Sequence, residues 1–159
     1  MNKAKWVGAL AGGVLVSLLL WFGAGEDLDE VAIAARLQEM TTAVEQGDRE
    51  AFWSHLAPDY RPVGRGISQY TPEMIVDRIF QIPARMENLR IDLIKVKIDI
   101  EEDRRSAKVQ FQVSLEGEGM PWSVSRDQLE RNRVQLKMRR YGTDWRVLES
   151  ALAWSVMPF

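Results

Sequence analysis

The chain has 159 residues with 21 basic and 23 acidic side chains, one His and no Cys, enough for one domain of ordinary size. Without Cys there are no disulfides, thiolate zinc sites, iron-sulfur clusters or cysteine nucleophiles, and a single His55 leaves one imidazole for acid–base work and no His-built metal site. A formal charge of -2 gives no bulk attraction to nucleic acid; no metal, cofactor or nucleic-acid partner is expected.

The first element is apolar. The 20 residues from Trp6 to Gly25 carry no charge and one polar side chain, Ser17, and at about 1.5 Å per residue a helix of that length matches the hydrocarbon core of a bilayer. Lys3 and Lys5 precede it and Glu26, Asp27, Asp29 and Glu30 follow. The positive-inside rule then puts the N-terminus in the cytoplasm and residues 26–159 across the membrane, which in a bacterium is a single-pass inner-membrane protein with a periplasmic domain. The alternative is a signal peptide cut near Gly23-Ala24-Gly25, releasing residues 26–159 into the periplasm. The run exceeds the roughly 7 to 15 residues of a signal core and carries bulky Trp21-Phe22 at the site, which favours an anchor over residues 1–25. Gly8 and Gly12 form a GxxxG spacing, a candidate contact for a homodimer through the membrane helix.

Beyond residue 26 the pattern divides into a helical front and a stranded back. Asp27 reads as an N-cap with Glu30 at the third helical position, and Ile33, Leu37, Met40 and Val44 draw one apolar stripe along a helix ending before Gly47. Asp48 caps a short second helix carrying Phe52, Trp53, His55 and Leu56 and stopped by Pro58. A loop rich in Gly and Pro follows. Thr71-Pro72-Glu73 then opens a third helix, with Met74, Ile75, Ile79 and Phe80 as its apolar side.

After Glu87 the period changes to two. Leu89, Ile91 and Leu93 hold one parity and Ile94, Val96, Ile98 and Ile100 the other, which requires a bulge near Leu93-Ile94 or a strand break. Ala107, Val109, Phe111, Val113 and Leu115 mark the next strand, and two more lie around Val134-Met138 and from Trp145 to Trp154, joined at Gly142-Thr143-Asp144. Three helices followed by a mostly antiparallel sheet is α+β, with the helices covering one face.

Gly47-Asp48-Arg49-Glu50-Ala51-Phe52 leading into Leu56-Ala57-Pro58-Asp59-Tyr60, the Thr71-Pro72-Glu73 helix start and the terminal Gly142-Thr143-Asp144-Trp145-Arg146-Val147-Leu148 together resemble the nuclear transport factor 2-like, or SnoaL-like, superfamily over about residues 28–154. The resemblance implies a conical fold in which a curved sheet wraps around helices and leaves a pocket at the open end. It also implies a range of roles, from isomerases and dehydratases to ligand binders and tethered periplasmic assembly domains, so the fold does not choose among them.

An isomerase or dehydratase needs a general base in an apolar pocket and a donor for the developing oxyanion. His55, Asp59, Tyr60 and Asp77 are the catalytic candidates, and Tyr60, Trp122, Arg126 and Tyr141 those for a ligand pocket. No second His completes a dyad. A surface reading is available too: residues 26–87 hold 6 basic and 12 acidic side chains, residues 88–159 hold 13 and 11. Arg131, Arg133, Lys137 and Arg139 share one parity of a strand, and with Lys95, Lys97 and Lys108 they predict a basic sheet surface for an acidic partner or for lipid headgroups. The expected role is therefore a membrane-tethered binding or assembly module with a protein partner in the cell envelope, and the alternative a tethered enzyme or carrier of a small hydrophobic ligand.

Overall fold

The computed structural model describes residues 27–64, 69–119 and 133–152. The apolar run 6–25, with Gly8 and Gly12, lies outside them, as do Trp122, Arg126 and Arg131. Among the described residues no helix is long and apolar enough to cross a membrane.

Asp27 caps the first helix, α1 (Leu28–Glu45), by accepting from the Asp29 N–H at 3.0 Å. The helix ends at Gln46, and Gly47 takes the left-handed φ of 68° that a helix exit favours in glycine. The predicted stripe Ile33, Leu37, Met40 and Val44 is buried. Asp48 caps α2 (Arg49–Ser54) through the Ala51 N–H, and Thr71 caps α3 (Pro72–Gln81) through the Met74 N–H, with Pro72 at the first turn, where its missing donor costs nothing. On α3 the buried face is Ile75, Val76 and Phe80; Met74, expected inside, is exposed and Val76 takes its place.

The second helix is shorter than its pattern suggests. His55 closes it, and Leu56 opens a strand, β1 (Leu56–Pro62), where a loop was expected. Pro58 argues against a strand interior, but β1 is at the edge of the sheet, where a missing ladder donor is tolerated. The other strands are β2 (Glu87–Ile100), β3 (Ser106–Glu118), β4 (Arg133–Tyr141) and β5 (Asp144–Leu152), in the spatial order β1-β5-β4-β3-β2. The β1–β5 pair is parallel and the rest are antiparallel.

Bulges bend this sheet around α1. On β2 the register shifts between Ile94 and Lys97, where Lys95 has a φ of 54°. The irregularity thus falls one to two residues beyond its expected place. It sends Leu89, Ile91 and Leu93 and then Val96, Ile98 and Ile100 to the helix-covered side, whereas Ile94 drops out of the core. β2 has a further shift between Glu87 and Arg90, and β5 has a bulge at Leu148, since Val147 pairs with Met138 and Glu149 with Lys137. The core between α1 and the sheet contains Ile33, Leu37, Phe52, Tyr60, Phe80, Val109, Phe111, Leu136, Met138, Trp145 and Val147.

Candidate functional site

Strand alternation separates the candidate residues onto two faces. Tyr60 faces the helices and is buried, its hydroxyl 2.7 Å from the Ser150 hydroxyl of β5. Burial pushes the Tyr60 phenol above its usual value, partly offset by the Ser150 contact. Its sequence neighbour Asp59 is on the opposite face, exposed, where its carboxylate accepts from the Tyr141 hydroxyl at 2.7 Å and lies 3.7 Å from Arg139. The Tyr141 bond holds the Asp59 carboxyl below the ordinary carboxylate range, with Arg139 adding to the effect. Desolvation and the Asp59 carboxylate raise the Tyr141 phenol in turn. Tyr60 and Tyr141, read from sequence as lining one pocket, are therefore on opposite sides of the sheet.

His55 is buried where α2 meets β1. Its backbone carbonyl accepts from the Val147 N–H at 2.9 Å, pinning the junction to β5. Its Nδ1 is 3.1 Å from Arg36 Nη1. A guanidinium only donates, so Nδ1 accepts and the neutral ring carries its proton on Nε2. Burial, and then the Arg36 charge, lower the imidazole below its ordinary value, against a smaller opposing pull from Glu39 at 3.9 Å. This is a packed, neutral histidine with its lone pair occupied, the wrong state for a general base. Asp77 pairs with Arg49 across α3 and α2, both half-exposed. The four catalytic candidates thus do not converge.

What the helix-covered side does hold is apolar. The polar groups buried there include the Tyr60–Ser150 pair and the indole Nε1 of Trp145, which is buried without a hydrogen-bond partner among the described residues. A groove of about 330 Å³ opens elsewhere, beside Glu45, Gly47, Arg49, Phe80 and Pro83, and none of the predicted residues lines it. Arg49 lies over the Phe80 ring there, 5.5 Å from its centroid, and the Glu45 carboxylate is committed to the Ile91 N–H.

The other face of the sheet is charged, and its register was not readable from sequence. One row crosses all five strands: Asp99 opposite Lys108, Lys108 opposite Lys137, Lys137 opposite Glu149, and Glu149 opposite Arg61. In the next row toward the hairpin turns Arg139 is opposite Arg146. Rows on the other side place Lys97 opposite Gln110 and Arg133 opposite Gln112. In these rows, with Asp59, there are seven basic side chains against three acidic ones; farther from the hairpin turns the same face also carries Arg90, Asp92, Glu116 and Glu118.

Some of that charge is matched. Arg61 pairs with Glu149, Lys97 with Asp99 at 3.0 Å and Lys108 with Glu101 at 3.6 Å. Lys137 and Arg133 have no ion pair among the described residues. Lys95 belongs elsewhere: it sits on the β2 bulge at the free edge, where a charge and a kink keep another strand from adding. Arg61 and Arg146 are the members that sequence reading missed, because β1 was taken for a loop and the β5 register was open.

A curved five-stranded sheet, mostly antiparallel, wrapped on a long helix and two short ones among the described residues, is the nuclear transport factor 2-like fold, and solved structures bear this out. One is a protein from Novosphingobium aromaticivorans provisionally assigned as an aromatic ring hydroxylase, with TM-score 0.59 and 20% identity over 82% of this chain and 90% of that one. Another is a nuclear transport factor 2-like protein from Cytophaga hutchinsonii, with TM-score 0.57 and 18% identity over 80% and 98%. A third, also from N. aromaticivorans and provisionally a scytalone dehydratase, has TM-score 0.59 and 10% identity over 79% and 83%. No family model matches the sequence, and no curated protein matches it significantly.

Proposed function

We propose that this chain is a membrane-tethered binding or assembly module of the bacterial cell envelope that works without chemistry. Residues 6–25 anchor it, residues 26–159 stand in the periplasm, and the charged face of the sheet is its contact surface. The observation that supports this reading best is where the titratable groups lie. Asp59 and Asp77 are on exposed surfaces in ion pairs, and His55 has its lone pair engaged by Arg36. The face that concentrates unmatched charge is the one turned away from the helices.

A second reading has one observation in its favour, the Trp145 Nε1 that lies among apolar side chains without a partner among the described residues, a donor suited to a small hydrophobic ligand with one acceptor atom. A dehydratase or isomerase would further need a base beside it. The two readings part in one experiment: purification of the full chain in mild detergent from its native membrane, beside an Arg133→Glu, Lys137→Glu variant, with companions identified by mass. A stoichiometric protein or lipid companion lost in the variant is the expected result. A small molecule retained by both proteins, with no other companion, would overturn the module reading and place function in the interior.

A further inference from the structure

We infer that the basic face of the sheet docks on an anionic lipid surface, the headgroups of the bilayer holding the chain's own N-terminal run; this rests on the tether proposed above. The first support is place. Arg104 at the β2–β3 turn binds the Asp27 carboxylate at 2.6 Å and that of Asp29 at 2.8 Å, and Arg140 of β4 reaches Asp29 at 3.2 Å. The start of α1 is therefore fastened to the hairpin end of the sheet. Only Glu26 separates Asp27 from Gly25, so chain length holds that end within ~7 Å of the apolar run. Such a distance is inside the Debye length of about 8 Å at physiological salt, where a charged surface is still felt.

The second support is composition. The like-charged partners Lys108–Lys137 and Arg139–Arg146 stand directly opposite one another in the rows nearest that same end. Opposed like charges weaken a sheet; Lys108, Arg139 and Arg146 have only long ion pairs, with Glu101, Asp59 and Asp144 at 3.6, 3.7 and 3.9 Å, while Glu149 is taken by Arg61 and Lys137 has no ion pair among the described residues. A plane of phosphates relieves all four cations together. An acidic peptide has the charge to do so, but nothing ties it to the end of the sheet where the chain leaves the apolar run.

The third support is that the acids at this end are largely neutralised. Asp27 and Asp29 are bound by arginines, Asp103 accepts from the Arg105 and Ser106 N–H groups, and Glu101 is drawn to Lys108. Glu102 remains.

The absence of Cys makes a direct test available. A dye on Gln135→Cys reports from the basic face, and one on Glu73→Cys from the exposed first turn of α3. The full chain is reconstituted into phosphatidylcholine vesicles with and without roughly one third phosphatidylglycerol, containing headgroup-nitroxide lipid as quencher. The expected result is quenching at position 135 that requires phosphatidylglycerol, is absent at position 73, and fades with added salt. A basic residue near such a surface is worth roughly fivefold, so Lys108→Glu with Lys137→Glu should lower the docked fraction relative to the undocked by more than about tenfold. Lys108→Gln with Lys137→Gln, which spares the fold any new repulsion, should show the same direction.

Equal quenching with and without phosphatidylglycerol, or indifference to both variants, overturns the inference. So does a face unquenched in these vesicles but masked, in a charge-dependent way, by a protein of the native membrane. Carbonate extraction separates the two layers of the proposal: a chain released by it overturns the tether and this inference together, whereas a retained chain with an unresponsive dye overturns the docking alone.

Discussion

The buried hydroxyl pair offers the sharpest check on how the interior is built. Tyr60 and Ser150 are 8% and 6% exposed with their hydroxyl oxygens 2.7 Å apart. Tyr60→Phe keeps the ring and strands the Ser150 hydroxyl, and a buried polar group left alone costs about 1–3 kcal/mol. Ser150→Ala strands the phenol at a similar cost. The double variant removes both polar atoms, so its loss should fall short of the summed single losses by about 1–2 kcal/mol. At roughly 4 °C per kcal/mol for a domain of this size, each single variant lowers Tm by about 4–12 °C, and the double variant melts near the worse of the two. Thermal unfolding of the full chain in detergent, followed by circular dichroism, measures all four corners of the cycle. Losses that add to within about 0.5 kcal/mol would show that the two hydroxyls are independent and refute the reasoning. If the Tyr60 hydroxyl instead served an acceptor on a substrate, turnover would fall in Tyr60→Phe and would not return in the double variant.

Three further outcomes follow from single sites. His55 is the chain's only imidazole, so its NMR titration is free of overlap: it should titrate below the ordinary 6.5, carry its proton on Nε2 below saturation, and move upward in Arg36→Met. Because the folded state resists protonation, this group's contribution to stability is complete above 6.5 and is lost as pH falls from there through the folded value; a titration at or above 6.5 would refute the arrangement. Gly117→Ala puts a Cβ 2.7 Å from Met86 Cε and 3.0 Å from the Glu87 carbonyl oxygen, and since backbone does not yield as a methionine tip does, a loss of about 1–3 kcal/mol is expected in urea unfolding. Asp59→Asn should change stability by no more than about 0.5 kcal/mol, as exposed groups generally do, while lowering the Tyr141 phenol toward its usual value in a spectrophotometric titration.

The helices were legible because their signals are local. Asp27, Asp48 and Thr71 cap where they were expected to cap, and the α1 stripe buries as spaced, since a cap and a period of 3.6 need only a few neighbouring residues. β1 was not legible: Leu56 and Tyr60 are four apart, which suits a helix as well as a strand, and Pro58 hides a strand that only its edge position permits. The parity conflict in β2 demanded a bulge, but which residue absorbs it depends on the pairing with β3, so Lys95 was placed on the basic face rather than at the edge. The candidate site failed for a related reason. Asp59 and Tyr60 are neighbours in sequence, and in a strand neighbours face opposite ways, so a pair read as one pocket becomes two environments.

The separation of those environments depends on a single residue. Trp145 and Val147 face the helices, so an uninterrupted β5 would send residue 149 inward as well, burying the Glu149 carboxylate beside the Tyr60 ring and turning Ser150 out. The bulge at Leu148 reverses the parity: Glu149 emerges opposite Lys137 and reaches Arg61, and Ser150 turns in to meet Tyr60. Leu148 stays buried in doing so, and Leu148→Ala should therefore cost what a buried leucine usually does, about 2–5 kcal/mol. Deleting Leu148 is a different perturbation. It removes the extra residue, so that Glu149 follows Val147 directly, still outward opposite Lys137, and Ser150 still turns inward; what is lost is the bulge and the buried Leu148 side chain. The deletion should therefore cost about as much as Leu148→Ala, about 2–5 kcal/mol, and keep cooperative melting. A deletion variant that loses cooperative melting while Leu148→Ala keeps it would mean that β5 needs the bulge itself, and not only the outward Glu149 and inward Ser150 that the deletion preserves.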